Sequence, residues 1–262
     1  MRSSPLPRLD RLLTLGGAIP LPDPARAGWL KEWTYAHRGL HRPGVPENSL
    51  AAFAGAVERG LGVECDIQRS RDGHAMLLHD WELERLTGLA GKPSDYTSAE
   101  LERIAFLDPG HFLARFDELL DLVAGVVPIL VEIKSRPRYD VFKSCQAIRD
   151  ALSGYDGLHA VMSFDPRVAR WFRRHSPATV TGLVIREDRV GYTPHRWQRR
   201  LAFRHAKPDF VAYHVEALPN RFAADLRERG YPLLTWTVNS PATRAHAAAV
   251  ADAAIAEGEG LA

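Results

Sequence analysis

Short apolar runs alternate along the chain with longer stretches of helical period. Runs of a few apolar or β-branched residues bounded by turn residues read as buried strands, and apolar positions recurring every three or four residues read as helices. On this basis strands are predicted at 33–37, 62–68, 75–79, 127–134, 160–164, 179–185, 210–214 and 233–238, with a weaker one at 253–257. Helices are predicted between them at 49–59, 116–123, 141–152, 166–174, 221–229 and 241–249. The first opens at Asn48 or Ser49, either of which can cap it, and stops at Gly60. Such alternation is that of βαβ units around a parallel sheet, and a strand count near eight predicts an α/β fold of the TIM-type (β/α) barrel class. Nine candidates are one too many, so one is expected to be irregular or to lie outside the barrel.

One interval breaks the rhythm. Residues 80–116 put far more chain between the third strand and the next helix than a tight βα loop needs. They hold Pro93, Asp95, Thr97, Ser98, Pro109 and Gly110, with a short helical piece at 98–104. We read this as a small insertion after the third strand, on the face where barrels build their sites. No linker or repeat divides the remainder, so the expected organisation is an N-terminal arm over 1–28 and one barrel domain over 29–262.

Charge and composition narrow the class of partner. The 34 basic and 32 acidic residues leave a formal net charge of +2, without the basic excess of a nucleic-acid binder. No apolar run reaches the ~18–20 residues of a membrane helix. Arg2, Arg8 and Arg11 precede a short apolar stretch at 12–19, but prolines flank it and it lacks the layout of a signal peptide, so a cytoplasmic location is the default. Cys65 and Cys145 suggest no disulfide framework. Lys is scarce, at 31, 92, 134, 143 and 207, so a Lys inside a strand carries extra information.

The candidate chemistry lies in polar groups on otherwise apolar strands. The first strand runs into His37-Arg38-Gly39, the second holds Glu64 and Asp66, the third ends in His79-Asp80, and the fourth holds Glu132 and Lys134. Strand side chains alternate, so Glu64 and Asp66 share one face, as do Glu132 and Lys134. Each element alone has a plain reading: a common Glu-x-Asp pair, a turn histidine, a rim salt bridge. Four successive strands ending in ionisable groups are another matter, because buried charge is costly unless paired or metal-bound. Glu64, Asp66 and Glu132 converging on one rim would suit a hard divalent cation with oxygen ligands, Mg²⁺ or Ca²⁺. His37 and His79 would then move protons while Arg38 and Lys134 neutralise a phosphate ester.

The ordered set Ala36-His37-Arg38-Gly39, Pro46-Glu47-Asn48-Ser49, Glu64-Cys65-Asp66, Leu78-His79-Asp80 and Glu132-Ile133-Lys134 resembles the glycerophosphodiester phosphodiesterase family. Ser163-Phe164 and Trp236-Thr237-Val238-Asn239 resemble its later signatures, and the likeness spans 35–239. The resemblance implies a TIM barrel with an insertion after the third strand, and hydrolysis of a small glycerophosphodiester to an alcohol and glycerol 3-phosphate. It implies Glu64, Asp66 and Glu132 as ligands of one divalent cation, Mg²⁺ or Ca²⁺, and His37 and His79 as general acid and base. Arg38 and Lys134 would contact the phosphate, Glu47 would support the metal or its loop, and Trp236 would line the substrate groove. The nucleophile it implies is the glycerol's own neighbouring hydroxyl, giving a cyclic phosphate that water opens. Two positions depart from the family: Ser49 stands where Thr is usual, and 251–258 replaces an apolar strand ending in Asp and Pro.

The nearest alternative on the same residues is a lysophospholipase D-type activity, which exposed Leu86, Leu89, Phe106 and Phe112 in the insertion would favour. A non-catalytic barrel binding a phosphorylated ligand would have no use for both histidines. An amidohydrolase barrel would carry a His-x-His pattern on its first strand. The other histidines, His41 among them, are expected in loops, turns and helix surfaces, with His214 the one that could face the pocket. The basic run 196–200 with Trp197 reads as a solvated helix face.

Overall fold

The computed structural model describes residues 21–188 and 193–262, so the basic stretch from Arg2 through residue 19 lies outside the described residues. Among the described residues there are nine strands: β1 (Tyr35–His37), β2 (Gly62–Arg69), β3 (Ala75–Leu77), β4 (Ile129–Ile133), β5 (His159–Ser163), β6 (Val180–Ile185), β7 (Phe210–His214), β8 (Leu233–Val238) and β9 (Ala253–Ala256). Eight of them pair in parallel in the order β1-β2-β4-β5-β6-β7-β8-β9, and β9 pairs back to β1, closing a (β/α) barrel. Seven helices cross over outside it: α1 (Leu50–Glu58), α2 (Phe116–Val123), α3 (Val141–Ala151), α4 (Pro166–His175), α5 (Arg196–Ala206), α6 (Arg221–Glu228) and α7 (Pro241–Val250).

The strand outside the ring is β3, which pairs antiparallel with β2. The sequence reading placed the third strand in the barrel and gave the weak C-terminal strand the doubtful role. The structure reverses the two. Asp72-Gly73 turns the chain tightly after β2, and Asp-Gly between two apolar runs is a hairpin signal. The hairpin then returns toward Asp66, whose carbonyl accepts from the Leu78 N–H. His79 therefore reaches the mouth from outside the ring, not from the end of a parallel strand.

The insertion follows β3 and packs on its own small core of Met76, Leu78, Leu83, Leu101, Ile104, Phe106 and Leu113. Of the side chains that would favour a lipid substrate if exposed, Phe106 is buried there, whereas Leu89 and Phe112 are exposed together with Leu107.

Alternation along each strand sorts the barrel into layers. Val63, Cys65, Ile67, Ile129, Val131 and Ile133 face the helices in the main outer core. Inside, Tyr35, Leu130, Ala160, Val180, Phe210, Leu234 and Ile255 form an apolar floor, closed from below by Ala27 and Leu30. Arg26 fastens that lower segment through Asp209 at 3.1 Å and the Thr179 carbonyl at 2.5 Å. Gly182 leaves room for Phe210: a Cβ there would lie 2.3 Å from its ring. Above this floor His37, Glu64, Asp66 and Glu132 face inward on β1, β2 and β4, whereas Met162, Val184 and Trp236 keep the opposite wall apolar, so chemistry sits at one side of the C-terminal rim on a dry base.

After β9 the chain turns back through a 3₁₀ segment, Gly258–Leu261, whose Leu261 is buried. Gly260 sits so close to β8 that a Cβ would come 2.1 Å from the Val238 carbonyl oxygen. Gly260→Ala is therefore expected to cost roughly 1–3 kcal/mol by overpacking, read as a lower urea midpoint. An unchanged midpoint would show that this segment does not need its seat on β8.

Candidate active site

The mouth of the barrel is a cavity of about 700 Å³, lined by His37, Arg38, Glu64, Asp66, His79, Glu132, Lys134 and Trp236 among others. Strand register brings the carboxylates together: Asp66 pairs with Glu132, and Glu64 with His37. One ligand oxygen from each of Glu64, Asp66 and Glu132 lies within 4.8 Å of the other two, and all three residues are buried.

Two cations answer this cluster. Lys134 Nζ lies 2.8 Å from Glu132 and 3.2 Å from Asp66. Arg38 approaches Asp66 at 3.1 Å through Nε, and its backbone N–H donates to Glu64 at 3.0 Å. Burial alone would raise the Asp66 carboxyl, but Lys134 and Arg38 hold it well below the usual range. Glu64 is pushed well above that range by burial, with Asp66 and Glu132 adding repulsion. Lys134, despite burial, is raised by Asp66 and Glu132. Three carboxylates against two shared cations leave the cluster short of positive charge.

Asn48 clamps Asp66 at two points: its Nδ2 donates to the carboxylate at 3.2 Å, and its Oδ1 accepts from the Asp66 N–H at 3.0 Å. It does so from the left-handed region, φ 54°, which asparagine enters more readily than most non-glycine residues. The capping role falls to Ser49, whose Oγ accepts from the Ala52 N–H at 3.2 Å.

Each proton-handling candidate is held by a carboxylate at Nδ1. His79 Nδ1 is 2.7 Å from Asp80, and His37 Nδ1 is 2.6 Å from Glu257. A carboxylate at Nδ1 fixes that tautomer and leaves Nε2 to the cavity. Asp80 in turn pairs with Arg85, and Arg85 reaches Glu47 at 2.7 Å. Glu47 also accepts from Arg38 at 2.8 Å, and these two arginines, against burial, hold it ionised. The deeper wall is aromatic: Trp236 meets Phe164 edge-on at 5.5 Å and His214 at 5.0 Å.

Residues 37–256 match the glycerophosphoryl diester phosphodiesterase family. The chain belongs to that family. A Mycobacterium tuberculosis relative, a probable glycerophosphodiester phosphodiesterase 1, is 37% identical over 179 residues, 59% of this chain and 64% of its own length. A Caldanaerobacter subterraneus glycerophosphodiester phosphodiesterase is 43% identical over 82 residues, so the match spans 31% of this chain and about a third of that relative, 32%. Among solved structures, an Oleispira antarctica phosphodiesterase in complex with its product sn-glycerol-3-phosphate superposes with a TM-score of 0.73 at 21% identity, covering 86% of this chain and 92% of the other.

Every candidate site residue read from the sequence, Glu47 included, lines this cavity, and other residues line it too. Glu47 turns both oxygens to Arg38 and Arg85 and lies outside the carboxylate cluster. His41, which the sequence reading set among the dispensable histidines, lines the cavity 3.4 Å from Glu257. Glu257 itself was missed, because it comes beside His37 only when β9 closes the ring. Its signal was a carboxylate ending a strand, where the family usually has Asp.

The donor set fits a hard divalent cation: three buried carboxylates, all oxygen, in a cluster deficient in positive charge. Among the described residues no helix is long and apolar enough to cross a membrane.

A carboxyl whose pKa is raised on folding destabilises the fold at every pH above its unfolded value, and that penalty fades as pH falls. Glu64→Gln is therefore expected to raise the melting temperature of the metal-free protein at neutral pH. It should also abolish stabilisation by Mg²⁺ or Ca²⁺, which at roughly a hundredfold excess over Kd is worth about 2.7 kcal/mol to a protein that binds it. A metal-free variant that melts lower than wild type would contradict the charge deficit.

Proposed function

We propose that this chain hydrolyses glycerophosphodiesters to an alcohol and glycerol 3-phosphate with the help of one divalent cation, Mg²⁺ or Ca²⁺. The observation that carries this reading is the pairing of two carboxylate-held histidines with a buried three-carboxylate cluster in a single cavity. Glu64, Asp66 and Glu132 would hold the cation, which when bound offsets negative charge on the phosphoryl oxygens. Lys134 and Arg38 would hold the phosphate.

One histidine would take the proton of the attacking hydroxyl at Nε2, and the other would give one to the departing alkoxide. With the glycerol's neighbouring hydroxyl as nucleophile, the P–O bond to the alcohol breaks as a cyclic phosphate forms, and water then opens the ring with the two roles exchanged. Trp236, Phe164 and His214 would flank the organic part of the substrate. A second reading, hydrolysis of lysophospholipids at the same centre, is favoured by the exposed Leu89, Leu107 and Phe112 on the insertion.

The test is release of glycerol 3-phosphate from glycerophosphocholine and glycerophosphoethanolamine, with lysophosphatidylcholine in a parallel assay. Wild type should turn over with Mg²⁺ or Ca²⁺ and stop in EDTA. His37→Ala and His79→Ala should each lose roughly 10²–10⁴-fold in kcat, and Glu132→Gln should lose metal-dependent turnover. Activity on the lysophospholipid alone would favour the second reading. Full activity in EDTA would sink the cation's role.

A further inference from the structure

A second cluster of ligand atoms stands beside the carboxylates. One atom from each of His37, His41 and Glu257 lies within 4.8 Å of the other two. His37 Nδ1 is 2.6 Å and His41 Nε2 3.4 Å from the same Glu257 oxygen. All three line the cavity, with side chains 14%, 27% and 29% exposed, so an ion has a path to them.

The donor chemistry differs from that of the first cluster. Two imidazole nitrogens and one carboxylate are the set preferred by late first-row ions, whereas Mg²⁺ and Ca²⁺ prefer oxygen alone. A tetrahedral Zn²⁺ at about 2.0–2.2 Å from each donor would space them roughly 3.3–3.5 Å apart. The His41–Glu257 separation already matches, and the His37–Glu257 pair would open by less than about 1 Å.

We propose that His37, His41 and Glu257 bind Zn²⁺ or a similar late first-row divalent ion, and that the bound ion switches the enzyme off. The binding stands on the cluster itself, while the switch rests on the proton-handling role assigned to His37 above. To admit the ion, the proton shared by His37 Nδ1 and Glu257 leaves to solvent. The imidazole is then fixed as a ligand, and the cation at Nδ1 disfavours taking up a proton at Nε2. Glu64, Asp66 and Glu132 remain available to a hard cation throughout. The plain alternative is that Glu257 only orients His37, with His41 an accessory donor, in which case such ions have no preferred seat here.

The test uses Co²⁺ alone, titrated into this chain and followed by its visible ligand-field absorption, then displaced with Zn²⁺. The signal should persist in Glu132→Gln, and His41→Ala should bind at least roughly tenfold more weakly, with melting curves confirming that both variants fold. With saturating Mg²⁺ and a glycerophosphodiester, Zn²⁺ should cut wild-type turnover about tenfold or more, the loss His37 would cause as a general acid or base. His41→Ala, measured against its own uninhibited rate, should resist. A Co²⁺ signal lost in Glu132→Gln and kept in His41→Ala overturns the site. Binding there without loss of turnover overturns the switch. A protein inert on every diester overturns the assigned reaction and the switch together, and the Co²⁺ titration still decides the site.

Discussion

The structure depends on the repulsion of three carboxylates buried side by side in the barrel mouth. Glu64, Asp66 and Glu132 project from neighbouring strands onto a floor of apolar side chains, where bare negative charge is expensive. Lys134 and Arg38 are the first answer, and each is shared. Arg38 is also claimed by Glu47, Glu47 by Arg85, and Arg85 by Asp80, which holds His79. Charges of alternating sign thus run from the metal-binding candidates to a proton-handling one. The insertion is tied into the site through Arg85, so its placement follows from the same electrostatics.

The barrel meets this demand by a division along its axis. Period-two alternation makes every strand offer one set of side chains inward; the lower members are apolar, and the upper members turn polar on β1, β2 and β4. A charged group low in the barrel would have no partner and no route to water. At the rim, both are present. The same division explains why the lower end is covered by Ala27 and Leu30 and fastened by Arg26, leaving the upper end open.

The sequence made the carboxylate cluster legible because charged residues at period two on apolar strands are costly unless a partner or an ion answers them. Glu64, Asp66, Glu132 and Lys134 could be read that way without any knowledge of pairing. Strand direction could not, since periodicity carries no sign, and β3 was mistaken for a barrel strand although Asp72-Gly73 marked a hairpin. β9 was underrated for a different reason. Ala253-Ala254-Ile255-Ala256 has weak strand propensity, and its place is set by pairing with β1 and β8. Glu257 and His41 were hidden for the same cause, because 220 residues separate Glu257 from His37 and only ring closure joins them. Asn48 was legible as a polar residue near a helix start, but its hold on Asp66 depends on a left-handed backbone that sequence does not announce.

The two histidines are held alike yet by unlike devices. The Glu257 carboxyl is kept far below the usual range, chiefly by its hydrogen bond to His37 and then by His41. Asp80 is kept low, against burial, by Arg85 and His79. Both carboxylates therefore stay ionised around neutral pH, and both imidazoles keep Nδ1 as the tethered nitrogen. Glu257 stands at the end of β9, so the orientation of His37 is a property of barrel closure. Asp80 is steadied by Arg85 from the insertion, so the orientation of His79 is a property of the loop that borders the cavity. A change in the insertion can thus reach the chemistry through Asp80 without touching the carboxylate cluster. The half of the site anchored by His37 is fixed by the fold itself.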